Sequence, residues 1–386
     1  MANLTLAVGG MWGTIINWFH SFIPSFGLTI IVFTIALKLI LSPLEVYQKV
    51  MTKKQTEVQA KLQPQLEKIQ KRYGNNKEML NQKTAELYKK ENFNVMGSCL
   101  GLLINLVITL VIFITLFSSL NQISQYNIKT EYSNLITTYQ ETFISKANET
   151  SGGLIEVTEE DTVKTIIDKI NAETSLNDEQ KEELINNLKT LSQKQASKKY
   201  TEIKEGFLWV KNIYRPDTYA SVFPNANEYL SISNTNFKKV SEENPFTNIY
   251  GEKFVTSATA KDAFVKEFND ITGDINKTYS GWNGYLILVI LSAGITVLSQ
   301  IINTKATKAK KQVDKKGNEI EYKQPSNKLM LVLLPILMVI FTLQYSAAFA
   351  IYIVINSLMS LLISFVTGLI MDRIDKKKEN LTKEVK

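Results

Sequence analysis

The chain reads as an all-α polytopic membrane protein, and three observations carry that reading. Charged side chains make up 21% of the 386 residues but are gathered into blocks. Residues 97–120 and 329–371 hold none, and residues 1–37 hold none beyond the partial charge of His20. Five stretches supply the roughly 20 mainly apolar residues that about 30 Å of hydrocarbon requires at about 1.5 Å per residue. The segments between them alternate in net charge, as the loops of a multi-pass protein do.

Taken in order, residues 1–24 gather Trp12, Trp18, Phe19 and Phe22 before Pro24. No basic stretch precedes them, so an amphipathic helix in the outer interface is expected rather than a signal peptide. The first span is 25–44 (SFGLTIIVFTIALKLILSPL). Residues 45–96 predict a cytoplasmic helical hairpin. Val58, Leu62, Leu66, Ile69 and Tyr73 recur every three or four residues, Gly74, Asn75 and Asn76 supply the turn, and Leu80, Thr84 and Leu87 continue the stripe. Pro64 is expected to break or kink the first arm.

The second span is 97–120. The region 121–282 is long and polar, with one helix legible at 176–191, capped near Asn177, its apolar face formed by Leu184, Ile185, Leu188 and Leu191. The aromatic segment 206–223 (GFLWVKNIYRPDTYASVF) suggests chain lying on the outer membrane surface. A third span at 283–302, a loop at 303–328, two spans at 329–345 and 347–371 and a tail at 372–386 complete the chain. The last two spans are nearly contiguous, which predicts a tight hairpin within the membrane.

Orientation follows from charge. Residues 45–96, 303–328 and 372–386 together carry 25 Lys/Arg and 13 Asp/Glu, a net +12, whereas 121–282 carries 18 and 24, a net −6. Excess Lys and Arg on the cytoplasmic side places the three basic segments and the C-terminus inside, and the N-terminus and 121–282 outside. The overall +7 is a difference between compartments, not a nucleic-acid footprint.

Composition also narrows the chemistry. One cysteine, Cys99, cannot close an intrachain disulfide, and one histidine removes His-based triads and His-rich zinc sites. Neither G-x-x-x-x-G-K-[ST] nor G-x-G-x-x-G occurs, so the common phosphate cradles are absent. No cofactor, metal site or catalytic group is expected.

Lys38 is the most informative residue, the only formally charged side chain inside the five spans. A cation at a span's centre costs about 2.5–3.5 kcal/mol on insertion scales. Its long stem could snorkel to the cytoplasmic interface, since Pro43 lies only five residues on. Alternatively it faces a hydrated cavity, where no acidic partner exists within the spans and water or a visiting anion satisfies it. Asn105, Thr109, Ser299, Gln300 and Asn356 are among the polar residues that could line such a cavity, although each alone could be interhelical glue.

The run GLTIIVFTIALKLILSPLEVYQK, then LQPQLEKIQKRYGNN, ELYKKENFNVMGSCLGLLIN, FLWVKNIYRPD, ITVLSQ and AIYIVINS together resemble the YidC family of membrane protein insertases. The likeness is to a Gram-positive-type member with an enlarged external region. It implies a five-transmembrane-helix insertase core with a cytoplasmic helical hairpin, a hydrophilic groove open to cytoplasm and lipid, and a large extracellular insertion of unknown fold. Lys38 falls where the family commonly has arginine and Asn105 where glutamine is usual. Ser299, Gln300, Tyr352 and Asn356 match polar or aromatic positions of the later helices, and Thr109 joins them as a groove candidate. The departures are Val95 and Gly101 in place of proline, and AAFAIYIVINS without the usual Pro, Gly and Trp. Lysine keeps arginine's charge and loses its bidentate fork.

The resemblance implies a non-enzymatic insertase and chaperone of the bacterial plasma membrane. Its partners would be nascent membrane proteins, a ribosome or targeting particle at the hairpin and tail, the Sec translocon and the lipid bilayer, with no specific nucleic acid sequence. Two other readings stand beside it: a permease-type transport subunit with a large external domain, and a tethered surface enzyme using carboxylates such as Glu159, Glu160 and Asp161.

Overall fold

Helices dominate because apolar or amphipathic periodicity runs through nearly every segment and their ends find caps. The computed structural model describes residues 8–90, 95–279, 281–306, 312–313, 319–320 and 328–384, and side chains over 8–90, 107–279, 281–305 and 332–377. Within these, the chain divides into two units. One comprises Gly10–Ser119, Ile287–Gln344 and Phe349–Lys386; the other includes Leu120–Leu286 and Tyr345–Ala348. The side chain of Asn105 and most of the 303–328 loop lie outside the described residues.

In the first unit, α1 (Gly10–His20) is followed by α2 (Phe26–Tyr73), α3 (Lys77–Lys90) and α4 (Val95–Ser145). Helix α1 buries Gly13 and Ile16 while leaving Met11 and Trp18 exposed. Its Trp12 indole donates to Thr115 Oγ1 at 2.8 Å. Helix α2 starts at Ser25, whose hydroxyl caps the Leu28 amide. The chain does not break where the first span was expected to end, nor at Pro64: α2 continues unbroken into the first arm of the hairpin. Pro43 lacks the N–H that would bond the Leu39 carbonyl, and the Ser42 hydroxyl donates to that carbonyl instead, at 2.8 Å. Leu62 and Leu87 are buried, and the turn at Gly74 leaves no room for a side chain, because a Cβ there would lie 2.6 Å from the Gln70 carbonyl oxygen.

Helices α10 (Ile287–Ala306), α11 (Lys328–Gln344) and α12 (Ala347–Glu384) supply the remaining spans. Only Tyr345 and Ser346 separate α11 from α12. Phe113, Phe117, Phe341 and Phe349 form an aromatic core among α4, α11 and α12, with Phe117 and Phe349 centroids 4.9 Å apart. Outward positions such as Ile40, Ile290, Leu362 and Phe365 are exposed. Exposed apolar side chains along long helices are what lipid, not water, accommodates. Among the described residues four helices are long and apolar enough to cross a membrane, the described part of α11 being shorter, so this is a multi-pass membrane protein.

The second unit gives the 121–282 region a fold. The end of α4 buries Leu120, Ile123, Ile128, Tyr132, Leu135, Tyr139 and Phe143. Around it lie α5 (Ala147–Thr150), α6 (Val163–Ala172), α7 (Asp178–Ile203), α8 (Ala226–Ser233), a two-residue antiparallel ladder of β1 (Phe246–Thr247) and β2 (Lys253–Phe254), and α9 (Ser257–Thr278). Asn177 and Gln180 form a reciprocal capping box at α7. The helix outruns its expected end by continuing its buried face through Ser192, Ala196 and Tyr200, while Leu191 is exposed.

The 206–223 segment is mostly a core strap rather than a surface one. Val210, Ile213, Tyr214, Val222 and Phe223 are buried, leaving Leu208 and Tyr219 exposed. Asn283 accepts from the Asn212 amide at 2.8 Å, and its own side-chain amide donates to the Asn212 and Pro216 carbonyls. Gly284 is obligatory there: a Cβ would sit 1.8 Å from Asp217 Oδ1. The strap carbonyls of Arg215 and Ile213 accept from the amides of Ala347 and Ala348, satisfying donors that a helix N-terminus otherwise leaves orphaned.

Glu131 lies in this core, 5% exposed, its two oxygens 3.2 and 3.3 Å from the same Asn212 amide nitrogen. Burial pushes its carboxyl up to about 8, against the opposing effect of the Asn212 bond. The folded form therefore holds a proton that the unfolded chain, near 4.5, releases. The resulting stabilisation is complete below about pH 4.5 and is lost as pH rises through about 8, with an upper bound of about 5 kcal/mol. Hydrogen exchange of the full-length protein in micelles should show protection of the 126–140 amides, corrected for intrinsic rates, falling across that window. In Glu131→Gln the fall should vanish; a slope that persists would assign it to another group.

Candidate functional site: an intramembrane polar cleft

The candidate site lies in the first unit, where α2, α4 and α12 leave a cleft of about 550 Å³ including its part open to solvent. Leu37, Leu41, Ile108, Ile112 and Phe113 give it an apolar wall, and Lys38, Glu45, Thr109, Tyr352 and Asn356 its polar groups. These converge for simple reasons of period. Lys38, Leu41 and Glu45 follow one another at three and four residues along α2, and Tyr352 and Asn356 are four apart on α12.

Lys38 is buried, with 9% of its side chain exposed, and is not snorkelling in isolation. Its ammonium is ion-paired with Glu45 and donates to Ser360 Oγ at 2.7 Å. The expectation that water or a visiting anion must satisfy Lys38, no acid being available within the spans, is corrected: the acid comes from just beyond the span. Glu45 stands one residue past the expected end of the span, yet two helical turns on the same face bring its carboxylate back to the lysine. That seven-residue spacing was the available signal. The other oxygen of the carboxylate, Oε2, is buried without a hydrogen-bond partner among the described residues.

Two further lysines of α2 extend the pattern. Lys49 Nζ lies 2.5 Å from Ser364 Oγ, and that hydroxyl lies 2.6 Å from Asn303 Oδ1 of α10. Burial lowers the pKa of Lys49, an effect that Glu45 opposes and Lys38 reinforces. Lys53 is paired with Asp375 at 2.8 Å and with Asp372 at 3.9 Å. Sequence reading assigned 372–386 to a separate tail; α12 instead continues as helix to Glu384 and delivers Asp375 to the α2 extension.

Of the seven site residues expected, Lys38, Thr109, Tyr352 and Asn356 surround the cleft. Ser299 is buried on α10 and does not line it. Gln300, also on α10, does not line it either, and its side-chain nitrogen is buried without a hydrogen-bond partner among the described residues. Several other polar residues of the spans are spent within their own helices: Ser292 on the Val289 carbonyl, Thr342 on that of Met338. The acidic run at 159–161 is a turn device. Asp161 accepts from the Thr158 amide, the Thr165 hydroxyl and the Lys169 ammonium, which holds its carboxyl well below the usual range.

The family model described as 60Kd inner membrane protein matches residues 18–376. Curated relatives carry the name membrane protein insertase YidC. One from Fusobacterium nucleatum is 42% identical over 90 residues, covering 23% of this chain and 42% of the relative. One from Caldanaerobacter subterraneus is 34% identical over 92 residues, 24% of this chain and 43% of its own. A third, from Leptospira interrogans, is 44% identical over 82 residues, 21% of this chain and 12% of its own. The chain thus spans less than half the length of these relatives in the matched segments. No solved structure gives a significant match.

The Lys53 pair offers a stability test. Asp375→Asn should lower thermal stability in micelles by about 1–2 kcal/mol, less than a fully buried pair would lose because the Asp375 side chain is 23% exposed. Lys53→Met combined with Asp375→Leu should recover most of that loss. An unchanged melting temperature in Asp375→Asn would show that the pair does not hold α12 to α2.

Proposed function

Because the chain belongs to the 60Kd inner membrane protein family, we propose that it is a membrane protein insertase that also helps its substrates fold. The observation that supports this most directly is a cleft carrying a lysine, a threonine, a tyrosine and an asparagine, set among helices whose other faces are apolar and exposed.

The barrier to insertion is the dehydration of a polar tail that must cross about 30 Å of hydrocarbon. A polar cleft shortens the dehydrated path, so the tail exchanges water for hydroxyl, amide and ammonium groups. Lys38 attracts carboxylates of the tail, and partitioning of the substrate's apolar segment into lipid then supplies the driving force. No step makes or breaks a covalent bond, so the activity is that of a chaperone and not of an enzyme. Ser299, Gln300 and Asn105 would act from α10 and α4 at a later stage of passage.

In this reading the protein sits in the bacterial plasma membrane, with the N-terminus and the second unit outside and the C-terminus in the cytoplasm, as the charge distribution supports. The basic hairpin and the end of α12 would receive the nascent chain with its ribosome or targeting particle, through attractions that salt weakens. The Sec translocon is a partner for larger substrates.

Growth of an insertase-depleted bacterium tests the reading. Lys38→Arg should support it, while Lys38→Ala and Lys38→Glu should slow insertion of acidic-tailed substrates by roughly fivefold or more, the equivalent of about 1 kcal/mol. Photocrosslinkers at positions 38, 105 and 356 should capture a ribosome-stalled substrate. Co-purification with an ATPase, without such crosslinks, would favour a transport subunit instead.

A further inference from the structure

Lys38 does not offer its charge freely. Among the described residues lining the cleft, Glu45 is the one acidic group, and its Oε1 already accepts from the ammonium. At contact range the carboxylate cancels most of the attraction that Lys38 would exert on an incoming anion. Among the described residues its second oxygen, Oε2, is buried without a partner, so the lysine holds the carboxylate through one of its two oxygens. A carboxylate bound so incompletely is one that can be displaced.

The surroundings favour exchange. Ser360 Oγ accepts from the Lys38 ammonium at 2.7 Å independently of Glu45, which gives the ammonium a protein partner other than its counter-ion. Lys49 stands four residues beyond Glu45 on α2, the favourable order for a glutamate and lysine on one helix, and already feels its charge. The displaced carboxylate therefore has a second cation within one turn.

We infer that Glu45 is an internal counter-ion that occupies Lys38 until carboxylates of a substrate tail displace it, so that it sets how acidic a tail must be to enter the cleft. This rests on the insertase reading and adds a specificity-determining residue to it. A tail with one carboxylate exchanges one ion pair for another and gains little. A tail with two or more competes better, because a second carboxylate of the same chain stands within reach of Lys38 whenever the first lets go, while Glu45 is held near Lys49. The substrate class selected is a polypeptide tail with clustered Asp or Glu residues, with singly acidic tails treated nearly as neutral ones.

The test is a set of single-span reporters whose translocated tails carry none, one, two or three aspartates, inserted by the full-length protein in proteoliposomes. The readout is the ratio of acidic-tail to neutral-tail insertion within each variant, which a general folding defect leaves unaltered. In the wild type that ratio should rise only from the second aspartate. In Glu45→Gln it should rise roughly threefold at the first, and in Lys38→Ala with Glu45→Gln it should be flat. A Glu45→Gln ratio that follows the wild type, or a charge dependence that survives in the double variant, would overturn the counter-ion role while leaving the insertase reading in place. A wild-type protein that inserts none of the four reporters would instead overturn the insertase reading itself.

Discussion

Three lysines of one helix, Lys38 and Lys53 buried and Lys49 half-buried, each supplied with a partner, set the arrangement of the first unit. Taking an ammonium out of water costs several kcal/mol unless oxygen atoms replace the hydration it loses. Lys38, Lys49 and Lys53 of α2 find those oxygens on Glu45 of their own helix and on Ser360, Ser364 and Asp375 of α12. Register between the two helices follows, because sliding either by one residue would leave a buried cation facing apolar side chains. The cleft lies beside this polar ladder, and its depth and polarity depend on α2 and α12 being held there. Exposed apolar side chains elsewhere on both helices can face lipid without helping to choose a register, since lipid tails are as apolar as the side chains themselves.

Much of this was legible in the sequence, and the remainder shows which physics a linear reading misses. Blocks free of charge located the membrane-spanning helices, because the penalty for charge in hydrocarbon is large and local. Lys38 stood out for the same reason. Its partner was overlooked because Glu45 was counted as loop, although side chains two turns apart on a helix share a face whatever boundary is drawn between them. Pro64 pointed to a broken or kinked arm, and the helix is not broken there, because a proline's missing donor is tolerated where the helix is otherwise well supported. The 206–223 segment looked interfacial from its aromatics. Its burial depends on contacts with residues 131 and 283, far away in sequence, and no local pattern encodes those. The same holds for Ser299 and Gln300: polarity in a span was visible, but which helix face it occupies relative to the cleft was not.

Pairing inside the cleft changes what the single intramembrane lysine means. An unpaired cation would act as a standing attractor for any anion in reach. A paired one is close to neutral until something competes for it, which makes the site selective by comparison with its own carboxylate rather than by absolute affinity. The proposed function gives a lysine there a purpose, and the geometry around it sets how strongly it can act. On the proposed function, a polar yet nearly neutral cleft also suits a client that leaves again, since a tightly held tail would block the next insertion.

The continuity of α2 has a mechanical consequence. Its 48 residues form a rod about 72 Å long, more than twice the thickness of the hydrocarbon that surrounds its first part. A load applied at the hairpin turn around Gly74 is carried along an unbroken backbone to Lys38 instead of being absorbed by a flexible joint. The two prolines mark the points where such a rod is most compliant, and Pro43 lies between the lysine and its glutamate. Bending there alters the distance between the two charges, so the stiffness of a single helix couples what happens at the hairpin turn to the electrostatics of the cleft.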